Sequence, residues 1–170
     1  EQLTPHCTLL FRPWFWLLVF AGALLSVMLV ARHWDAYSSS LNSLFTAEGT
    51  LWFALTLILT KFIHEFGHAV TVKHLGLRVP EAGIAIVFGW PLLYVDITEV
   101  WRLRDRQQRL MAGAAGLSAE FVTAVLATLL WAVTPDGALR SALFLMSSSS
   151  WLLSIAINLN PMMKFDGYYL

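Results

Sequence analysis

Charge is scarce in this chain of 170 residues: Asp, Glu, Lys and Arg together make up 13%, where a soluble domain carries roughly a quarter. What charge there is balances, with 11 basic and 11 acidic residues, so no global basic field exists to attract nucleic acid. Cysteine occurs once, at Cys7, which excludes an internal disulfide framework and any cysteine-based zinc site. Repeats are absent, and the only low-complexity tract is Ser147–Ser150. Against these shortages stands an apolar content of 58% with a mean hydropathy of +0.65. Such a composition excludes a disordered chain and points to a membrane protein. The sequence opens on Glu1 and stops at Leu170 in mid-apolar sequence; we expect a single transmembrane domain over 1–170, cut from a longer chain.

A helix needs about 20 mostly apolar residues to cross a bilayer core. Pro13 to Ala31 meets this without a charge, and Trp14, Trp16 and Trp34 flank it at the level where aromatics favour the headgroups. Its apolar core is too long for a signal peptide. Asp35 to Thr50 is polar and Ser-rich and is expected to be a loop. A second span is expected from Thr50 to about Leu75, a third from about Arg109 to Val133, and a fourth from about Ala138 to Met163. The turn Thr134-Pro135-Asp136-Gly137 separates the last two.

Glu81 to Trp101 is apolar as well, but Gly83, Gly89, Pro91 and Asp96 interrupt it. Its halves, Ile84–Phe88 and Leu92–Thr98, are rich in β-branched and aromatic residues around a Gly89-Trp90-Pro91 break. That pattern predicts a hairpin or re-entrant element. Six basic residues lie from Lys73 to Arg109, and the positive-inside rule keeps them cytoplasmic. The expected fold is therefore an all-α membrane bundle of about four helices, with both ends cytoplasmic and a short β-hairpin between the second and third.

The second span carries His64-Glu65-Phe66-Gly67-His68. H-E-x-x-H on a helix sets two imidazoles about 40° apart around the axis and one turn along it, so both can bind one metal. Glu65 is then placed to take a proton from water that the metal polarises. Ionisable groups inside a span carry a desolvation cost and are functional by default. Imidazole and carboxylate ligands without thiolate suit Zn2+.

A catalytic zinc normally has three protein ligands, and two residues are candidates for the third. His74 follows His68 by six residues, as in metzincins, but Thr71 stands where that motif needs a glycine. On a continuing helix His74 lies about 240° round from His68 and roughly 9 Å along. It reads better as a helix end, with Lys73 near the negative pole and Gly76 as the stop. Asp166 lies at the inner end of the fourth span, on the same membrane side as the two histidines. Alone, Asp166-Gly167 is an ordinary turn; beside an intramembrane H-E-x-x-H it is the favoured ligand.

HEFGH in one span, followed by Asn158-x-x-Pro161-x-x-x-x-Asp166-Gly167 at the end of a later one, resembles the site-2 protease family of intramembrane zinc metalloproteases. Tyr94-Val-Asp96-Ile-Thr98 and the Asp166-Gly-Tyr-Tyr ending are most similar to a bacterial peptide zinc metalloprotease branch. The resemblance runs from about Leu51 to the C-terminus. It implies zinc held by His64, His68 and Asp166, with Glu65 activating water. It further implies that Asn158 binds the substrate backbone or the developing oxyanion. It implies a membrane-embedded or membrane-associated peptide substrate, a bacterial inner-membrane location, and an active site towards the cytoplasm. Members of that branch often accompany a membrane-fusion export module. The chain departs from the family at Gly116-Leu117-Ser118-Ala119-Glu120, where relatives often have G-P-x-x-N.

Other residues carry weaker expectations. Ile84–Thr98 offers a strand edge to an unwound substrate or simply packs on the bundle. Ala112–Gly116 forms a small-residue face for close helix packing. Glu120 is functional or lines a polar interior, Asn160 has no assigned role, and Lys61 can reach Glu65 at i+4. The alternative to a peptidase is a non-proteolytic component of a peptide-export system with a structural or vestigial metal site.

Overall fold

The computed structural model describes residues 8–87 and 90–151. A 3-10 turn, Thr8–Phe11, leads into helix α1, Pro13–Arg32, which carries proline in its first turn, where no N–H is missed. Next come α2, Trp34–Ser39, a 3-10 turn at Ser40–Phe45, and the long α3, Ala47–His74. Strands β1, Ala82–Val87, and β2, Trp90–Val95, precede a 3-10 turn at Thr98–Arg102. The described chain ends with α4, Arg106–Gly113, α5, Ala115–Val133, and α6, Ala138–Ser149. Helix α3 packs against both α5 and α6, while α1 and α6 pack against α5.

Both ends of α3 are written in the sequence. The Thr46 hydroxyl accepts from the Gly49 N–H at 3.0 Å and satisfies one of the open donors of the first turn. At the other end Gly76 takes a left-handed φ of 77°. Its N–H reaches the Lys73 carbonyl and that of Leu77 the Val72 carbonyl, the paired bonds of a Schellman stop. Leu77 then packs with Val72 in a cluster that includes Val100 and Ala112. A second cluster, Trp131, Phe144 and Leu145, gathers Tyr37, Trp52 and Phe53 around it. Along α3, residues 64–68 lie between these two apolar anchors.

Several expected boundaries move. The Ser-rich stretch from Asp35 is helical rather than a loop, and within it the hydroxyls of Ser38, Ser39 and Ser40 donate back to the carbonyls of Asp35 and Ala36 at 2.9–3.2 Å, the local bond that serine makes to its own helical turn. The segment expected to cross from Arg109 begins instead at Ala115, with α4 a separate short helix capped by Asp105. The hairpin is present, but Trp90 and Pro91 belong to β2 and not to the break: Val87 faces Trp90 and Ile86 faces Pro91 in an antiparallel register. A two-stranded sheet tolerates proline because an edge strand has N–H positions that make no ladder bond. At the base of the hairpin the Tyr94 hydroxyl donates to Glu81, which raises the phenol above its usual range. The backbone N–H of Thr98 holds the Asp96 carboxyl below its own.

Two described helices, α1 and α5, are long and apolar enough to cross a membrane. The bent pair Trp34–Asn42 and Ala47–His74, at 104°, makes a third if counted as one span. With 28 residues, α3 is about 42 Å long and lacks only apolarity, since Lys61, His64, Glu65, His68 and Lys73 interrupt it. The fourth expected span begins as α6, and its continuation to Met163 lies outside the described residues.

The α3–α5 crossing is the tightest described helix contact. A Cβ on Gly67 would stand 2.8 Å from both the Ala115 carbonyl oxygen and the Ala119 Cβ. A Cβ on Gly76 would meet nothing within 4 Å. Gly67→Ala is expected to destabilise the protein by about 1–3 kcal/mol through overpacking. Gly76→Ala should cost about 1 kcal/mol, from backbone strain alone. Reversible denaturant titration in detergent micelles measures both, and a Gly67→Ala loss no larger than that of Gly76→Ala contradicts the packing account.

Candidate metal centre

One face of α3 is polar and buried. Thr56, Thr60, His64 and His68 recur at intervals of four, and all are buried within the bundle. This inverts the usual order, in which a helix buries its apolar face. The inversion has a counterpart on α5, where Gly116 and Glu120 also stand four apart and Glu120 is 1% exposed.

The two motif histidines converge. Their Nε2 atoms lie 3.3 Å apart, and their rings meet edge to face with centroids 4.9 Å apart. Each ring is held from behind through its other nitrogen. His68 Nδ1 donates to the Ala112 carbonyl oxygen at 2.9 Å, a carbonyl in the last turn of α4, where intrahelical donors run out. His64 Nδ1 lies 3.1 Å from Glu120 Oε1, a close contact that is not a straight hydrogen bond. Both neighbours are acceptors, an arrangement that favours the tautomer with the proton on Nδ1. In the neutral rings each Nε2 then presents a lone pair.

Two lone pairs facing each other at 3.3 Å repel unless a cation or a proton lies between them. Zinc fits the spacing. Nitrogens about 2.0–2.1 Å from a tetrahedral zinc stand about 3.3–3.4 Å apart. Ligating histidines also characteristically give their second N–H to a carboxylate or carbonyl. The space in front of the pair comes from Gly116, where an added Cβ would lie 2.5 Å from the Nε2 atoms of both histidines. The donors and the cradle therefore fit a metal bound by two imidazoles.

Glu65 follows His64 on α3 and is half-buried, so it remains reachable beside the histidines. Lys61, expected to reach Glu65, has a recorded partner on the neighbouring helix. Its Nζ reaches Glu120 Oε1 at 3.2 Å across the α3–α5 contact. His74 is exposed and stacks flat on Phe11, with centroids 3.7 Å apart and planes 4° apart. That places it at the helix end and away from the converging pair. Asp166, Asn158 and Asn160 lie outside the described residues, and among the described residues no cluster of three His, Cys, Asp or Glu forms.

Two participants were hidden in the sequence. Gly116 read as one of several small packing residues, and Glu120 as a charge of undecided purpose. The available signal was their i, i+4 spacing, which matches that of His64 and His68.

Gly116→Ala is expected to weaken zinc binding by at least tenfold, because the methyl fills the cradle. Gly76→Ala, with its added methyl in open space, should leave affinity unchanged. Chelator-competition titration of the purified protein in detergent measures both, and full affinity in a folded Gly116→Ala protein contradicts the assignment. The chain matches no family model, no curated protein and no solved structure, so the chemistry of the site is read from its own residues.

Proposed function

We propose that this protein is a membrane-embedded zinc metallopeptidase that hydrolyses peptide bonds of membrane-embedded or membrane-associated peptides. The observation that carries the reading is the buried His64–His68 pair, with Nε2 atoms 3.3 Å apart and both Nδ1 atoms facing acceptors. In this reading Asp166 is the third ligand. In the four-span arrangement expected from the sequence, the second and fourth spans both run inwards, which would put Asp166 on the same side as the histidines, the cytoplasmic side of a bacterial inner membrane. Basic residues between Lys73 and Arg109 support that orientation.

Zinc bound at this site would supply Lewis-acid polarisation of a water molecule and of the scissile carbonyl. Glu65 takes a proton from the attacking water as the new C–O bond forms, and then gives it to the amide nitrogen so that the C–N bond breaks and the amine leaves. The Asn158 amide donates to the carbonyl oxygen as negative charge develops there. A helical substrate hides its carbonyls in its own hydrogen bonds and must be extended before attack. The hairpin suits that need, since β2 packs along α3 while Ile84 and Ile86 of β1 are exposed. An extended peptide adds to such an edge by strand pairing.

Zinc content per chain and cleavage of a reporter transmembrane peptide test the reading together. The parent and His74→Ala should hold near one zinc, and Asp166→Ala should lose it. Glu65→Gln should keep zinc and lose cleavage by two or more orders of magnitude. A parent without cleavage activity, with peptide export that needs neither zinc nor Glu65, favours the non-proteolytic export component instead.

A further inference from the structure

The buried carboxylate of Glu120 has a place in the site that the peptidase reading leaves unused. One oxygen, Oε1, meets both His64 Nδ1 at 3.1 Å and Lys61 Nζ at 3.2 Å. The two partners sit three residues apart on α3, on the same side of the helix. Lys61 approaches from the half-exposed side, with 41% of its side chain accessible, while the carboxylate and the imidazole are closed off. If the contact served only to neutralise a buried charge, Lys61 alone would suffice, and His64 would be free to turn its ring elsewhere. Instead α5 addresses both nitrogens of one imidazole. Gly116 opens space in front of Nε2, and one turn later Glu120 meets Nδ1 from behind. His68 Nδ1, for its part, meets the Ala112 carbonyl.

We propose that Glu120 is a positioning residue for the metal centre: its carboxylate, held by Lys61, keeps the proton of His64 on Nδ1 and turns Nε2 into the Gly116 cradle. The proposal rests on the zinc reading above and adds to it a residue that touches neither metal nor substrate. A carboxylate behind an imidazole raises its basicity as a ligand, and losing such a partner typically costs 10–100-fold in metal affinity.

The test compares zinc affinity, by chelator competition in detergent, for the parent, Glu120→Gln and Glu120→Ala. Glu120→Ala should bind about 10–100-fold more weakly. Glu120→Gln keeps an oxygen acceptor for Nδ1–H without its charge and should fall between the two. The second readout needs no variant. In zinc-loaded parent labelled with 15N-histidine, the His64 Nδ1 proton should appear far downfield and be protected from exchange with water. A folded Glu120→Ala protein with parental affinity, or a Glu120→Gln protein as weak as Glu120→Ala, overturns the proposal. So does a zinc-loaded parent whose His64 Nδ1 proton exchanges freely, which settles the matter even if the alanine variant does not fold. In each of these cases zinc binding by the parent leaves the peptidase reading standing. A parent that takes up no zinc overturns both.

Discussion

The structure depends on the close approach of α3 and α5. Two glycines permit it, Gly67 on one helix and Gly116 on the other, and neither leaves room for a methyl group. In a bilayer no hydrophobic effect drives helices together, so small residues that admit close backbone contact take over that role. Here the contact also has a chemical consequence. It brings Glu120 and the Ala112 carbonyl against the Nδ1 atoms of His64 and His68.

The same crossing resolves an electrostatic difficulty. A carboxylate and two imidazoles inside an apolar bundle are expensive to desolvate, and isolated charges there would cost several kcal/mol each. The fold answers with a chain of contacts from Lys61 through Glu120 to His64, ending at the paired Nε2 atoms. Between neutral rings with both Nε2 lone pairs facing, the contact at the end of this chain is one that a cation would relieve. Apolar clusters around Val72 and around Trp131 brace α3 on either side of the motif, so the ring geometry rests on packed elements rather than on loops.

Much of this was legible in the sequence, for identifiable reasons. Pro13 and the uncharged run after it mark α1, and Gly76 marks the end of α3, because stops use few residue types; the start of α3, expected at Thr50, lies at Ala47 behind the Thr46 cap. The β-branched and aromatic halves on either side of Gly89 pointed to the hairpin, although Trp90 and Pro91, read as part of the break, belong to the second strand. His64 and His68 declared themselves by spacing, and Thr71 in place of glycine correctly predicted that His74 turns away. The serine-rich segment after Asp35 was misread because hydroxyls that bond to their own backbone look like loop residues. The pairing of Lys61 with Glu120 across 59 positions, and the cradle at Gly116, were not legible. They depend on which faces of α3 and α5 meet, and local spacing does not specify that.

The central claim is that His64 and His68 bind one metal together through Nε2. X-ray absorption at the zinc edge of the zinc-loaded protein in detergent tests it most directly. The account predicts a first shell of nitrogen and oxygen at about 2.0–2.1 Å, with outer-shell scattering from two imidazoles and no sulfur. A shell with one imidazole or none, or with sulfur from Cys7, would contradict it.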